Sequence, residues 1–335
     1  MPMVSLTGKV PGIAGCFAMI LVFVMAVAAQ AADLCNYKVA FSTEGFLADS
    51  IIQVAAADVT GDGVDELLLV GRNYEARETF FYVVSLGHDG FEVLWKSPNL
   101  YDSPGHIAVT AGDFMGTGSP QVLVLGDKAT LMYQWQSGVL KEVWRGTTPW
   151  PIQEVAAVEG GPGKPDLVAL TQIVDQNAYF ATEALRVLKW TPQGLEVVAE
   201  SPPIGVIRAL ASGVVVGGTV GDLVIDVGQT TQGGTIQIWI IKGDTLTRVS
   251  SQELSPAAVF GLTVFSQDDQ VVVADDRGRV QVYAWQEGKL VTTSSRVSLG
   301  WGLASSAAGV FSADGTKSIV AVEYPNIVHV LRPDN

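Results

Sequence analysis

The residues best equipped for chemistry in this chain lie in one short stretch, Asp58-Val59-Thr60-Gly61-Asp62-Gly63-Val64-Asp65-Glu66. Alternate positions of a tight loop turn inward together, so the oxygens of Asp58, Thr60 and Asp62 can converge. Gly63 admits the sharp turn, and the Val64 carbonyl and Glu66 carboxylate can close the shell. An all-oxygen shell suits calcium, a hard cation that takes about six to eight such ligands. An EF-hand begins the same way, but its twelfth position falls here on Leu69, where a bidentate Glu is required. The same residues can also make a metal-free turn held by Asx hydrogen bonds. The expectation is one structural calcium loop, with ligands Asp58, Thr60, Asp62, Val64 and Glu66, and no catalytic role for the ion.

Little else in the sequence points to catalysis. The chain has three histidines, His88, His106 and His329, and no two stand at metal-ligand spacing. There is no Gly-x-Ser-x-Gly elbow and no phosphate-cradling loop. Asp275 and Asp276 are adjacent and would face opposite sides of a strand, so they read as part of the turn Asp275-Asp276-Arg277-Gly278. No catalytic residue is assigned, and the chain is expected not to be an enzyme.

The elements that would position the Asp58 loop are legible as repeats. A short aliphatic run follows a Gly/Asp-rich turn six times, at Leu67–Val70, Val122–Leu125, Leu167–Leu170, Leu223–Ile225, Val271–Val273 and Ile319–Val322. Successive runs begin 45 to 56 residues apart, room for four short strands and their turns. A strand of small residues precedes each run, as in Val54-Ala55-Ala56-Ala57, and suits the innermost position of a blade. Alternating aromatics follow, as in Tyr133-Gln134-Trp135, and then hairpin signals such as Ser137-Gly138 and Glu287-Gly288. The sixth repeat ends after its third strand, Ile327–Leu331, and Tyr37–Phe41 near the other end is the candidate for the missing fourth. The fold predicted is all-β, a six-bladed propeller of four-stranded blades spanning residues 36–335, closed by its N-terminal strand. A pair of β-sandwiches would need a central linker, and a seventh blade would need another small-residue strand; neither is found.

Residues 1–31 read as a signal peptide. Lys9 is the only charge before Asp33, an apolar run spans Ile13–Ala29, and Ala29-Gln30-Ala31 is a small-x-small cleavage site. The run is close to spanning length, so an uncleaved anchor is the other reading. Cleavage would leave Cys35 as the sole thiol, and packing alone must hold the fold. The net charge of −14 with no Lys/Arg cluster excludes nucleic acid as a partner.

The Asp58–Leu67 stretch resembles the calcium loop of FG-GAP/VCBS repeats, which build β-propellers of integrin α heads and of many secreted bacterial proteins. Asp58, Asp62, Gly63 and Glu66 match that family's pattern, while Thr60 stands where Asp or Asn is usual. The other five repeats keep only remnants, such as Asp113 and Asp222. The resemblance implies a secreted or cell-surface binding or scaffold module with a protein or carbohydrate ligand; an extracellular polysaccharide lyase or hydrolase is the alternative. Loops entering the inner strands and loops after the second strands would share one face. The residues expected there to touch a ligand are Tyr74, Arg77, His106, Trp150, Tyr179, Arg208 and Trp301, with Trp150 and Trp301 also readable as packing between blades.

Overall fold

The computed structural model describes residues 36–334 apart from 46, 88–89, 102–106, 127–128, 148–151, 176–181, 219, 229–232, 256, 266–269 and 301. Six four-stranded antiparallel blades form a β-propeller. Blade one is β2 (Ser50–Ala57), β3 (Glu66–Asn73), β4 (Glu78–Leu86) and β5 (Phe91–Lys96). Blade two is β6 (Ala108–Gly112), β7 (Gln121–Leu125), β8 (Thr130–Gln136) and β9 (Val139–Gly146). Blade three is β10 (Ile152–Val158), β11 (Leu167–Asp175), β12 (Thr182–Thr191) and β13 (Gly194–Glu200). Blade four is β14 (Ile207–Gly213), β15 (Asp222–Val227), β16 (Thr235–Lys242) and β17 (Thr245–Gln252). Blade five is β18 (Val259–Phe265), β19 (Gln270–Asp275), β20 (Arg279–Gln286) and β21 (Lys289–Thr292), with a two-residue strand β22 (Val297–Ser298) also on β20. Blade six is β23 (Leu303–Val310), β24 (Lys317–Glu323), β25 (Ile327–Pro333) and, outermost, β1 (Tyr37–Thr43).

The ring therefore closes as expected. Tyr37 lies opposite Pro333 and Thr43 opposite Val328, and the Asp334 N–H donates to the Asn36 carbonyl at 2.6 Å. All six aliphatic runs are second strands. They read as continuous runs because both of their faces are covered, each by a neighbouring blade. In β3, Leu67 and Leu69 pack toward blade six while Leu68 and Val70 pack toward blade two. The same alternation at each seam divides the apolar interior into six clusters, one between every pair of adjacent blades. At the first seam Phe81 is fully buried, with ring centroids of Trp95 and Tyr133 at 5.0 and 5.4 Å.

Inner strands belong to different sheets, so side chains satisfy backbone groups across the gaps. The Val54 N–H donates to Ser305 Oγ at 3.1 Å, the Val109 N–H to Gln53 Oε1 at 2.8 Å, and the Ala157 N–H to Thr110 Oγ1 at 2.8 Å. β3 runs on to Asn73 and β11 to Asp175, past the aliphatic run of each strand. The tight hairpins Ser137-Gly138 and Glu287-Gly288 have positive φ at both residues, the geometry that matches strand twist.

Candidate functional site

The Asp58 loop joins β2 to β3, between the small-residue strand and the aliphatic run that flank it in the sequence. Its acids are turned onto the backbone. Asp58 Oδ1 accepts from the N–H groups of Gly61 (2.7 Å) and Asp62 (3.1 Å), and Oδ2 accepts from Gly63 (2.9 Å). Asp62 Oδ1 accepts from the Val64 N–H at 2.9 Å. Glu66 is buried, and it accepts from the Val59 and Thr60 N–H groups through Oε2 and from the Thr60 hydroxyl through Oε1. Burial raises its carboxyl above the ordinary range against the pull of those hydrogen bonds. Among the described residues no three acidic, histidine or cysteine side chains gather to hold a metal. In this conformation the oxygens of Asp58, Asp62 and Glu66 cap the turn through backbone hydrogen bonds, and the same oxygens are the ones a calcium shell would draw on.

The remnants in other blades keep the cap. Asp113 accepts from the Thr117 and Gly118 N–H groups at 2.8 and 2.7 Å, as Asp58 does in blade one. Gln121 and Asp222, at the position of Glu66, accept from Met115 and from Val215 and Val216. Asp65 has a separate task, bridging blades one and six: its carboxylate accepts from the Val310 N–H at 2.7 Å and its own N–H donates to the Val310 carbonyl at 2.8 Å. Asp166 repeats this between blades three and two, on Asp113. Asp58→Ala is therefore expected to cost about 1 kcal/mol, the worth of a lost cap at an exposed loop. Millimolar calcium tests the ligand set Asp58, Thr60, Asp62, Val64 and Glu66, since an ion that binds the native loop raises the melting temperature by mass action. Thermal melts with and without chelator check both; a rise of several degrees with calcium, abolished in Asp62→Ala, is the outcome for a metal loop, and no rise is the outcome for a metal-free turn.

A second constellation lies at one mouth of the central channel. The channel is a cavity of about 250 Å³ walled by all six inner strands, mostly by Ala, Ser, Thr and Val. Five of these strands carry a register break near their N-terminal ends, between Ile51 and Gln53, Ile152 and Val155, Ile207 and Ala209, Val259 and Gly261, and Leu303 and Ser305. Bulges re-aim side chains and recur beside functional sites. The residues in these breaks include Ile52, Glu154, Arg208, Phe260 and Ala304. Glu154 and Phe260 line the channel, and Phe260 is 37% exposed there.

The electrostatics of this mouth are unusual. Burial, reinforced by the charge of Glu183, pushes the Glu154 carboxyl up to about 8. Glu183, on β12, is 3% exposed and is pushed by burial to about 7, opposed by hydrogen bonds from the Ile207 N–H and the Thr171 hydroxyl. The Thr171 hydroxyl oxygen also accepts from the Glu154 N–H at 3.1 Å, so one side chain ties the two acidic residues together. One strand further round, Arg208 Nε donates to Asp226 Oδ2 at 2.6 Å, and a second guanidinium nitrogen meets the same oxygen. Their side chains are 7% and 0% exposed. Burial pushes Asp226 to about 6 against the opposing pull of Arg208, so the pair is ionised at neutral pH. Gly228 and Gly234 lie against the guanidinium, where a Cβ would collide with it.

The raised acids set a pH dependence. Glu154 and Glu183 hold protons in the fold at pH values where the unfolded chain, at about 4.5, has released them. The folded state then binds more protons, so stability falls as pH rises from about 5 to about 8 and levels off above. Asp226 acts with the same sign over a narrower window. Melts at pH 5.5 and 8.5 should show the lower transition at 8.5. Glu154→Gln should flatten the slope and stabilise the protein at pH 8.5 by about 1–3 kcal/mol, since a tenfold change in proton affinity between folded and unfolded chain is worth about 1.4 kcal/mol. A variant with the wild-type slope would refute the assignment.

Of the residues singled out in the sequence, Tyr74 and Arg77 occupy the exposed β3–β4 turn, where Arg77 has a φ of 52° and Arg72 lies 5.9 Å from the Tyr74 ring. Arg208 is at the mouth but is committed to Asp226 and is not an exposed contact. His106, Trp150, Tyr179 and Trp301 lie outside the described residues. Sequence reading missed Glu154, Glu183 and Asp226. The signal was there: Asp226 interrupts the run Leu223-Val224-Ile225-Asp226-Val227, and an acid inside an apolar strand is rarely buried without a partner. No family model matches the chain, and no curated protein matches its sequence.

Proposed function

We propose that this chain is an exported binding module of the FG-GAP/VCBS kind that takes a protein or carbohydrate ligand at the bulged mouth of its channel. The observation that supports this reading is that Phe260, 37% exposed on an inner strand, and Glu154 both line the channel. Aromatic faces with a few placed polar groups are what ligand sites in concave surfaces offer. At neutral pH a Glu154 carboxyl near 8 is protonated and donates a hydrogen bond, so it suits a neutral acceptor such as a sugar hydroxyl or a peptide carbonyl.

The polysaccharide-acting alternative draws on the same carboxyl, which could serve as a general acid. Glycoside hydrolysis needs a second carboxylate flanking the scissile bond, and the nearby Glu183 and Asp226 are 3% and 0% exposed. That burial favours binding over turnover. Glycan and extracellular-protein arrays probed with wild type, Phe260→Ala and Glu154→Gln test the proposal. A ligand that loses at least about tenfold affinity in Phe260→Ala but not in Asp58→Ala is expected, as for truncation of an aromatic contact at a binding hot spot. Ligands indifferent to both mouth variants would place the site elsewhere, and polysaccharide cleavage abolished by Glu154→Gln would replace binding with catalysis.

A further inference from the structure

A serine, a histidine and a glutamate line up on blade six, away from the channel. Ser42 on β1 lies directly opposite His329 on β25, and His329 lies opposite Ala321 on β24. Glu323, two residues beyond Ala321, shares that face of the sheet. Three adjacent strands thus present the three side chains in a row. His329 Nδ1 is 2.7 Å from Ser42 Oγ, and His329 Nε2 is 2.8 Å from Glu323 Oε2.

The chemistry of the partners fixes the direction of this chain. A carboxylate only accepts, so Nε2 carries the ring proton and donates it to Glu323. Nδ1 is then the basic nitrogen, and the Ser42 hydroxyl donates to it. The histidine and glutamate side chains are 12% and 16% exposed. Gly300 closes against the Glu323 carboxylate, where any Cβ would clash with it. Ser42 itself is exposed. Among the described residues β1 is the outermost strand of its sheet. Backbone N–H groups along such an edge are available donors for a developing oxyanion.

We propose that Ser42, His329 and Glu323 form an acyl-transfer site at the rim of blade six that opens small esters. The Ser42 oxygen bonds to the ester carbonyl carbon while its proton passes to His329 Nδ1. Glu323, a positioning residue, holds the ring and balances the imidazolium. The bond from carbon to the alkoxide breaks, and the leaving alcohol takes the proton from Nδ1. Water then repeats the sequence on the acyl-serine, releasing the acid and restoring the hydroxyl. This site is independent of the channel mouth, so neither reading depends on the other.

A fluorophosphonate probe and p-nitrophenyl acetate test it on the full chain. Mass spectrometry should find the phosphonyl adduct on Ser42, and Ser42→Ala, an exposed change on an edge strand, should abolish both adduct and turnover. His329→Gln should slow labelling by about a hundredfold or more, in line with loss of a general base. Glu323→Gln, of the same size, should slow labelling with an unchanged melting temperature, which a purely structural role would not produce. Wild type that leaves Ser42 unlabelled, or His329→Gln that labels at the wild-type rate, would overturn the proposal.

Discussion

A chain lacking residues 36–43 is expected to melt about ten degrees or more below one that retains them, at about 2–4 °C per kcal/mol for large domains. The loss has named parts. Tyr37 is 8% exposed in the cluster between blades five and six, and Phe41 packs in the cluster between blades six and one, edge-on to Phe91 at 5.4 Å. Burying one such side chain is worth about 1.5–3 kcal/mol, so the two together contribute around 5 kcal/mol before backbone pairing is counted. Deletion also uncovers Leu331, now fully buried, and leaves the ladder edge of β25 open to other chains. Calorimetry of the deletion beside a chain lacking residues 1–35 measures the effect, and a synthetic peptide of residues 36–43 should recover part of it by adding back the strand. An unchanged transition would show that β1 is ornamental.

Arg208→Ala is the point substitution expected to cost most, about 3–5 kcal/mol, because it strands a buried charge. Asp226 is 0% exposed, and burial already raises it to about 6 with the guanidinium in place. Without Arg208 it must take up a proton, and the space shaped by Gly228 and Gly234 is left as a void. Denaturant unfolding at pH 7.5 gives the number. A double substitution to apolar residues, Arg208→Met with Asp226→Val, should recover most of it, since replacing both partners removes the uncompensated charge. If the single substitution costs less than about 1 kcal/mol, the pair is no more than a surface ion pair in effect.

The architecture was legible because its causes are periodic. Leu67–Val70 and its five counterparts are apolar at every position since two blades cover every second strand, and Tyr37–Phe41 was recognisable as the missing fourth strand because the sixth repeat lacked one. The Asp58 loop was placed correctly between β2 and β3, but residue types alone do not say whether Asp58 faces a cation or the amides of Gly61 and Gly63. The mouth was hidden for a different reason. Glu154 reaches the channel through a one-strand irregularity between Ile152 and Val155, and a bulge has no compositional mark. The row Ser42, His329 and Glu323 depends on the register of three strands, one of them from the far end of the chain, so spacing along the sequence gives no hint of it.

The pairing of β1 with β25 also bears on the order of folding. Lys38 bonds Asp334, a partner 296 residues downstream. Among the described residues β1 is the first strand and β25 the last, so the sixth blade cannot complete its sheet before both are present. Contacts of such long range form slowly, so closure of the ring through β1 and β25 is expected to be the last step of folding.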